Sequence, residues 1–171
     1  MKIHNAYLNE ICNFFIDSGY SDAHIVNSYK ADIEIPSFDI KVQVFEGGWD
    51  QDETTELFIG SEYSDGFSWR LLESDYVFFL APKRYYLIDS HSLLEFILNN
   101  NFHQTHRVTP KKRPESIVIK IRLPWFAFGL QPDIKIFSRF ADSETGIKEY
   151  EQFPSFDIGC GAECPVGSTV D

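Results

Sequence analysis

Hydrophobic and polar residues alternate with a period of two along Lys30–Phe45, KADIEIPSFDIKVQVF. Successive side chains of a strand point to opposite faces, so this pattern predicts two half-buried strands. They run over Lys30–Ile35 and Phe38–Phe45, with Pro36-Ser37 as the turn. A two-residue turn sets Ile35 opposite Phe38, Glu34 opposite Asp39 and Asp32 opposite Lys41. Asp32, Glu34, Asp39, Lys41 and Gln43 then share one face. Ile33, Ile35, Phe38, Ile40, Val42 and Val44 share the other, which belongs in the core.

Elsewhere the period changes. Tyr7, Leu8, Ile11, Phe14, Phe15 and Ile16 recur at helical spacing and predict a helix over about 6–18, capped by Asn5 and stopped at Gly19. HIVNSY (24–29) and LFIGSEY (57–63) read as strands, Ser64-Asp65-Gly66 as a turn, and GFSWRLLES (66–74) as one short helix or turn. DYVFFLA (75–81) is apolar almost throughout, as a central strand buried on both faces must be. RYYLID (84–89) is a further strand. SHSLLEFILNN (90–100) is a helix with Leu93, Leu94, Ile97 and Leu98 on its apolar side and Ser90 or Ser92 as its cap. SIVIKIRLPWFAF (116–128) carries a strand ended by Pro124, and DIKIFSRF (133–140) one more. The pattern predicts one domain over 1–140. Residues 141–171 read as a polar, acidic, partly irregular tail. The motif PSFDI occurs at 36–40 and again at 154–158, in different surroundings, and marks no repeat.

Composition narrows the class. A hydrophobic content of 43% supports a packed core, and 16 Phe and 8 Tyr favour strands. No apolar run has the length of a membrane span and the N-terminal residues lack a signal peptide's apolar segment, so the expectation is a cytoplasmic chain with no membrane partner. Three cysteines are too few for a disulfide framework. The net charge of −11 is unevenly placed. Residues 101–139 hold eight basic and two acidic side chains, whereas 1–60 hold three and eleven. An acidic whole repels nucleic acid at long range, and a basic segment still offers local contacts to phosphates.

Two or three carboxylates beside a lysine suit a hard divalent ion and the water it activates; the alternative is a solvated sheet face with a cross-strand Asp32–Lys41 pair. The order of elements adds to this. Asp32, then FDIKVQ with Asp39-Ile40-Lys41, then TELFIGSEYSDGFSWRLLESDYVFFLAPKRYYLIDSHSLLEFI together resemble the PD-(D/E)xK nuclease superfamily over about residues 6–100. The resemblance implies an α/β (α+β) fold with a restriction-endonuclease-like central mixed sheet flanked by helices, extended by further C-terminal strands. It implies a phage- or restriction-type endonuclease that hydrolyses DNA phosphodiesters with Mg²⁺, or Mn²⁺ in its place, and a homodimer as an assembly. Asp32, Asp39, Lys41 and Gln43 would be the catalytic residues. Glu10, Asp32, Asp39 and the Ile40 carbonyl would be the metal ligands.

Other constellations carry less. Arg107, Lys111, Lys112 and Arg113, around Pro110 and Pro114, form the densest basic patch and are the expected DNA-phosphate contacts, or else a solvated loop. His103 and His106 with Cys160 and Cys164 have the residue types of a four-ligand zinc site at loose spacing. His91 reads as part of a helix start. FEGGWD lacks the Lys-Ser/Thr of a phosphate-cradling loop. A second function class fits the charge better: a non-enzymatic acidic binding protein, of inhibitor or DNA-mimic type, that engages a host protein. A nuclease gathers Asp32, Asp39 and Lys41 into one cleft near Glu10; a binding protein spreads its acids over a surface.

Overall fold

The helical stripe at the N-terminus forms α1 (Asn5–Asp17), within a computed structural model that describes residues 5–26, 28–47, 52–131 and 133–139. Gly19, at φ +98°, ends it. The Gly19 N–H reaches the Ile16 carbonyl at 3.0 Å and the Tyr20 N–H reaches Phe15 at 3.0 Å, which satisfies the last turn's orphan acceptors. A short β1 (His24–Ile25) follows, then β2 (Ile33–Ile35) and β3 (Ile40–Glu46).

The β2–β3 hairpin departs from the expected register. Pro36 cannot take the positive φ that a two-residue hairpin turn requires at its first position. Pro36–Phe38 instead winds into a single 3₁₀ turn, and Asp39 takes the left-handed conformation at φ +52° before β3 begins. Asp is one of the few side chains that tolerates this region. Ile35 consequently pairs with Ile40, Glu34 with Lys41 and Ile33 with Val42. The carboxylate of Asp22 holds the turn, accepting from the Ser37 N–H at 2.6 Å and its hydroxyl at 2.8 Å. Phe38 leaves the apolar face and stands 60% exposed, edge-on to Tyr20.

The chain then builds a second sheet. β4 (Thr54–Tyr63) and β5 (Gly66–Trp69) form a hairpin whose turn needs Gly66 at φ +139°. The expected helix or turn over 66–74 is thus strand first and a 3₁₀ turn, Arg70–Glu73, afterwards. β6 (Tyr76–Leu80) returns to the first sheet beside β3, in parallel, and β7 (Arg84–Asp89) pairs antiparallel with β6. α2 (Ser90–Asn99) is capped by Asp89, which accepts from the Ser92 N–H at 2.8 Å; neither serine is the cap. α3 (Phe102–Thr105), β8 (Arg107–Val108), β9 (Ser116–Arg122), α4 (Leu123–Gly129) and β10 (Ile134–Ser138) complete the described chain. Pro124 ends β9, as expected, by opening α4.

The result is a mixed α/β architecture. A six-stranded mixed sheet, ordered β1-β2-β3-β6-β7-β10, lies next to a four-stranded antiparallel sheet, β5-β4-β9-β8. Ile11, Cys12 and Phe15 of α1 cover one face of the larger sheet, against Ile33, Val42, Phe78 and Tyr85. Its other face buries Val77, Phe79, Tyr86 and Ile136 against Leu57, Ile59, Ile119 and Ile121 of the smaller sheet and against α2 and α4. β6 feeds both layers, Val77 and Phe79 one way and Phe78 and Leu80 the other, which accounts for its unbroken apolar run. Among the described residues no helix is long and apolar enough to cross a membrane. The tail over 141–171, with the second PSFDI, lies outside the described residues.

Gly60 sits at a register shift in β4, where a Cβ would stand 2.2 Å from the Ser68 carbonyl oxygen of the neighbouring strand. Gly60→Ala should therefore cost about 1–3 kcal/mol of stability, read as a lower urea midpoint at unchanged slope. An unchanged midpoint would mean that the two strands do not approach this closely.

Candidate functional site

The hairpin face that the sequence singled out is built differently from a metal cleft. Asp32 lies just before β2, where the ladder to β3 has ended. Its N–H donates to the Val42 carbonyl at 2.9 Å, and its carboxylate accepts the Val44 N–H at 2.8 Å, supplying the partner that the short strand cannot. Burial raises the Asp32 pKa; the Val44 hydrogen bond and the nearby Arg70 charge oppose that rise. Gln43 is fully buried. Its amide donates to the Arg70 carbonyl at 3.2 Å and the Lys30 carbonyl at 3.4 Å, and its Oε1 has no partner among the described residues. Lys41 lies opposite Glu34 rather than Asp32.

Glu10 is on the other side of the sheet, on α1. Arg139 grips its carboxylate in a fork, Nε to Oε1 at 2.8 Å and Nη2 to Oε2 at 3.0 Å, and the Tyr85 hydroxyl donates to it at 2.5 Å. Burial would raise the Glu10 pKa, but the Arg139 and Tyr85 hydrogen bonds and the Arg139 charge outweigh it and hold the carboxyl below its usual range. Asp39 occupies a third place, the exposed left-handed position of the turn. The expected Mg²⁺ ligands Glu10, Asp32, Asp39 and the Ile40 carbonyl are thus not one donor set as folded. Among the described residues no group of three or more His, Cys, Asp or Glu side chains is placed to hold a metal ion.

The expected phosphate contacts belong to the smaller sheet. Lys111, Lys112 and Arg113 are exposed on the β8–β9 connection, and Arg107 pairs with Glu62 at 2.7 Å. His103 lies edge-on to Phe67 and Trp69, with its Nδ1 buried and without a hydrogen-bond partner among the described residues. His106 shares a hydrogen bond of 2.8 Å with the Thr105 hydroxyl, and burial lowers its pKa. Cys160 and Cys164 lie outside the described residues.

What the structure does bring together is Asp39 with three aspartates that sequence reasoning passed over. β3 opens directly after Asp39, β6 after Asp75 and β10 after Asp133, while β7 ends at Asp89. β3 and β6 are parallel, and β10 runs antiparallel to β7, so all four residues come to the same end of four neighbouring strands. Backbone bonds tie the row: Asp75 N–H to the Lys41 carbonyl at 2.9 Å, Ser90 N–H to Asp75 at 2.9 Å and Asp89 N–H to Asp133 at 3.1 Å. Asp75 also accepts the Lys41 N–H at 2.7 Å. The carboxylates of Asp39 and Asp133 have no hydrogen bond or ion pair among the described residues. A signal was present in the sequence: FD-IKVQVF, SD-YVFFL and PD-IKIF each set an aspartate directly before a strand.

Two adjoining cavities open along this row. The smaller, about 350 Å³, is lined by Asp39, Asp75, Asp89 and His91 with Phe38 and Leu72 at its lip. The larger, about 460 Å³, has Phe14, Ile35, Leu87 and Phe137 in its wall and floor, and Asp133 and Lys135 on its rim. Ile40, Tyr76 and Asp89 line both. His91, expected as part of a helix start, is indeed the second residue of α2 and is exposed here. The chain has no match among known protein families, curated proteins or solved structures.

The Glu10 environment fixes a pH dependence. A carboxylate whose folded pKa lies below its unfolded value stabilises the fold above the unfolded pKa, and that contribution fades as pH falls through the folded one. Glu10→Gln should cost about 1–2 kcal/mol at neutral pH, discounted for its partial exposure, and should flatten the loss of stability below about pH 4.5. Equal acid sensitivity in both proteins would show that the Arg139 fork contributes nothing to stability.

Proposed function

We propose that the protein is a non-enzymatic binding module that engages a basic protein surface through the aspartate-bearing end of its larger sheet. The observation that carries the reading is the placement of Asp39, Asp75, Asp89 and Asp133 at one end of four adjacent strands, above two connected cavities. Strands lie about 4.8 Å apart, so four carboxylates span roughly 15 Å. Such a row attracts cations at a distance and orients them on approach. The sheet holds it open: Asp75 and Asp89 are each engaged through backbone and side chain, so the row is not free to rearrange. The overall charge of −11 extends the field. A host protein with a basic face is the partner class, and an inhibitor or DNA mimic is a particular form of it.

A second reading keeps one observation in its favour. Asp32, Lys41 and Gln43 come from a single hairpin, and the Asp32 carboxylate lies against the Gln43–Val44 peptide. A restriction-endonuclease-like protein cutting DNA with Mg²⁺ would use these residues, and Asp39 would have to join them.

Calorimetry with decalysine tests the first reading. Binding should weaken as salt rises, and Asp39→Asn with Asp133→Asn should weaken it roughly two- to tenfold. Affinity indifferent to both salt and the two substitutions would sink it. For the second, Mg²⁺-dependent cleavage of single-stranded, duplex and branched DNA that disappears in Lys41→Ala, with folding intact, would replace the binding reading by the nuclease one. An absence of cleavage on all three substrates would leave the hairpin face a structural surface.

A further inference from the structure

We propose that the trough across β3, β6, β7 and β10 is a peptide-docking site that selects a short segment pairing a large apolar side chain with a neighbouring lysine or arginine. The inference rests on the binding reading above and names what that site selects.

The two cavities differ in chemistry. The larger one has an apolar floor of Phe14, Phe15, Ile35, Leu87 and Phe137, with Asp89, Asp133 and Lys135 along its polar side. The smaller one is polar, lined by Asp39, Asp75 and Asp89 without a basic residue other than His91. Tyr76 and Ile40 form the saddle between them. An occupant with charge alone would gain nothing from the apolar floor of the larger cavity. An occupant with apolar residues alone would cover four carboxylates without neutralising them. A segment that sets its apolar side chain in the larger cavity and its cation in the smaller satisfies both, and the asymmetry fixes its direction. The larger cavity has the size of a site for a few side chains.

Length follows from the sheet. From β3 to β10 is three strand spacings, about 14 Å, which an extended chain crosses in roughly four residues. The rim supports such a contact. Phe38 is 60% exposed and Leu72 50%, both beside the smaller cavity, so a bound segment would cover apolar surface now in water. The wall is already ordered: Asp22 pins Ser37, and Tyr20 packs edge-on against Phe38 with ring centroids 5.3 Å apart. Binding thus pays little to organise the site.

The experiment compares two fluorescein-labelled probes, Lys-Phe-Lys-Leu-Lys and Lys-Ser-Lys-Ser-Lys, by polarisation against the full chain, with amide shifts mapped by NMR. The first peptide should bind roughly tenfold tighter or more. It should shift Ile40, Tyr76, Leu87 and Lys135 as well as the aspartates. Ile40→Thr and Leu87→Thr, at half-buried positions that line the larger cavity, should remove most of the difference between the probes. Asp39→Asn should weaken both probes, since asparagine tolerates the left-handed backbone there. Equal affinities with shifts confined to the aspartates would overturn the apolar selection and leave the acidic reading standing. No binding of either probe would overturn both. Trough shifts that depend on protein concentration without any peptide would assign the trough to a second copy of the chain and overturn the proposal in that way.

Discussion

Everything in this molecule hangs on the parallel pairing of β3 with β6, Val42 beside Tyr76 through Glu46 beside Leu80. Two parallel neighbours cannot be joined by a tight turn, so the chain must leave the sheet and come back to the end from which β3 started. The usual answer is a helix laid over one face. Here the connection is the β4–β5 hairpin, which recruits β9 and β8 into a sheet of its own. That choice covers the second face of β6 with another sheet and leaves α1 to cover the first. It also decides where the acids fall, because a strand that returns in parallel brings its leading aspartate back to the same edge.

The balance of forces along that edge explains its rigidity. Carboxylates set side by side repel, and among the described residues no cation pairs with them directly. The backbone compensates: amide N–H groups of Lys41 and Ser92 point at Asp75 and Asp89. Donors of this kind hold an anion in place without cancelling its charge, so the edge keeps its field while losing its freedom. Glu10 shows the opposite arrangement, in which a guanidinium closes over the carboxylate and removes it from outward chemistry.

Much of the scaffold was readable from period and breaker residues. The stripe from Tyr7 to Ile16, the two-sided apolar run of β6 and the stop at Gly19 each follow from a local rule with one outcome. The hairpin register did not follow, because alternation alone cannot say how many residues a turn consumes. Pro36 and Asp39 together lengthened it from two to four, and the cross-strand partner of Lys41 changed with it. The candidate site was less legible for a related reason. Asp39, Asp75, Asp89 and Asp133 are scattered over almost a hundred positions, and only the strand order makes them neighbours. Asp32 and Glu10 had the right residue types for ligands, but each carboxylate is engaged as folded, Asp32 by the Val44 N–H and Glu10 by Arg139 and Tyr85.

The Glu10–Arg139 fork joins residues 129 apart in the chain, one on the first helix and one just past the last strand of the sheet. Edge strands ordinarily peel away one hydrogen bond at a time when tension is applied to them. β10 cannot be unzipped from its far end in this way, since Arg139 is buckled to α1 and to the Ala81 carbonyl. Tension entering past β10 therefore meets this clasp first, and the fold answers it in shear across α1 and β10 together, as a buckled belt does.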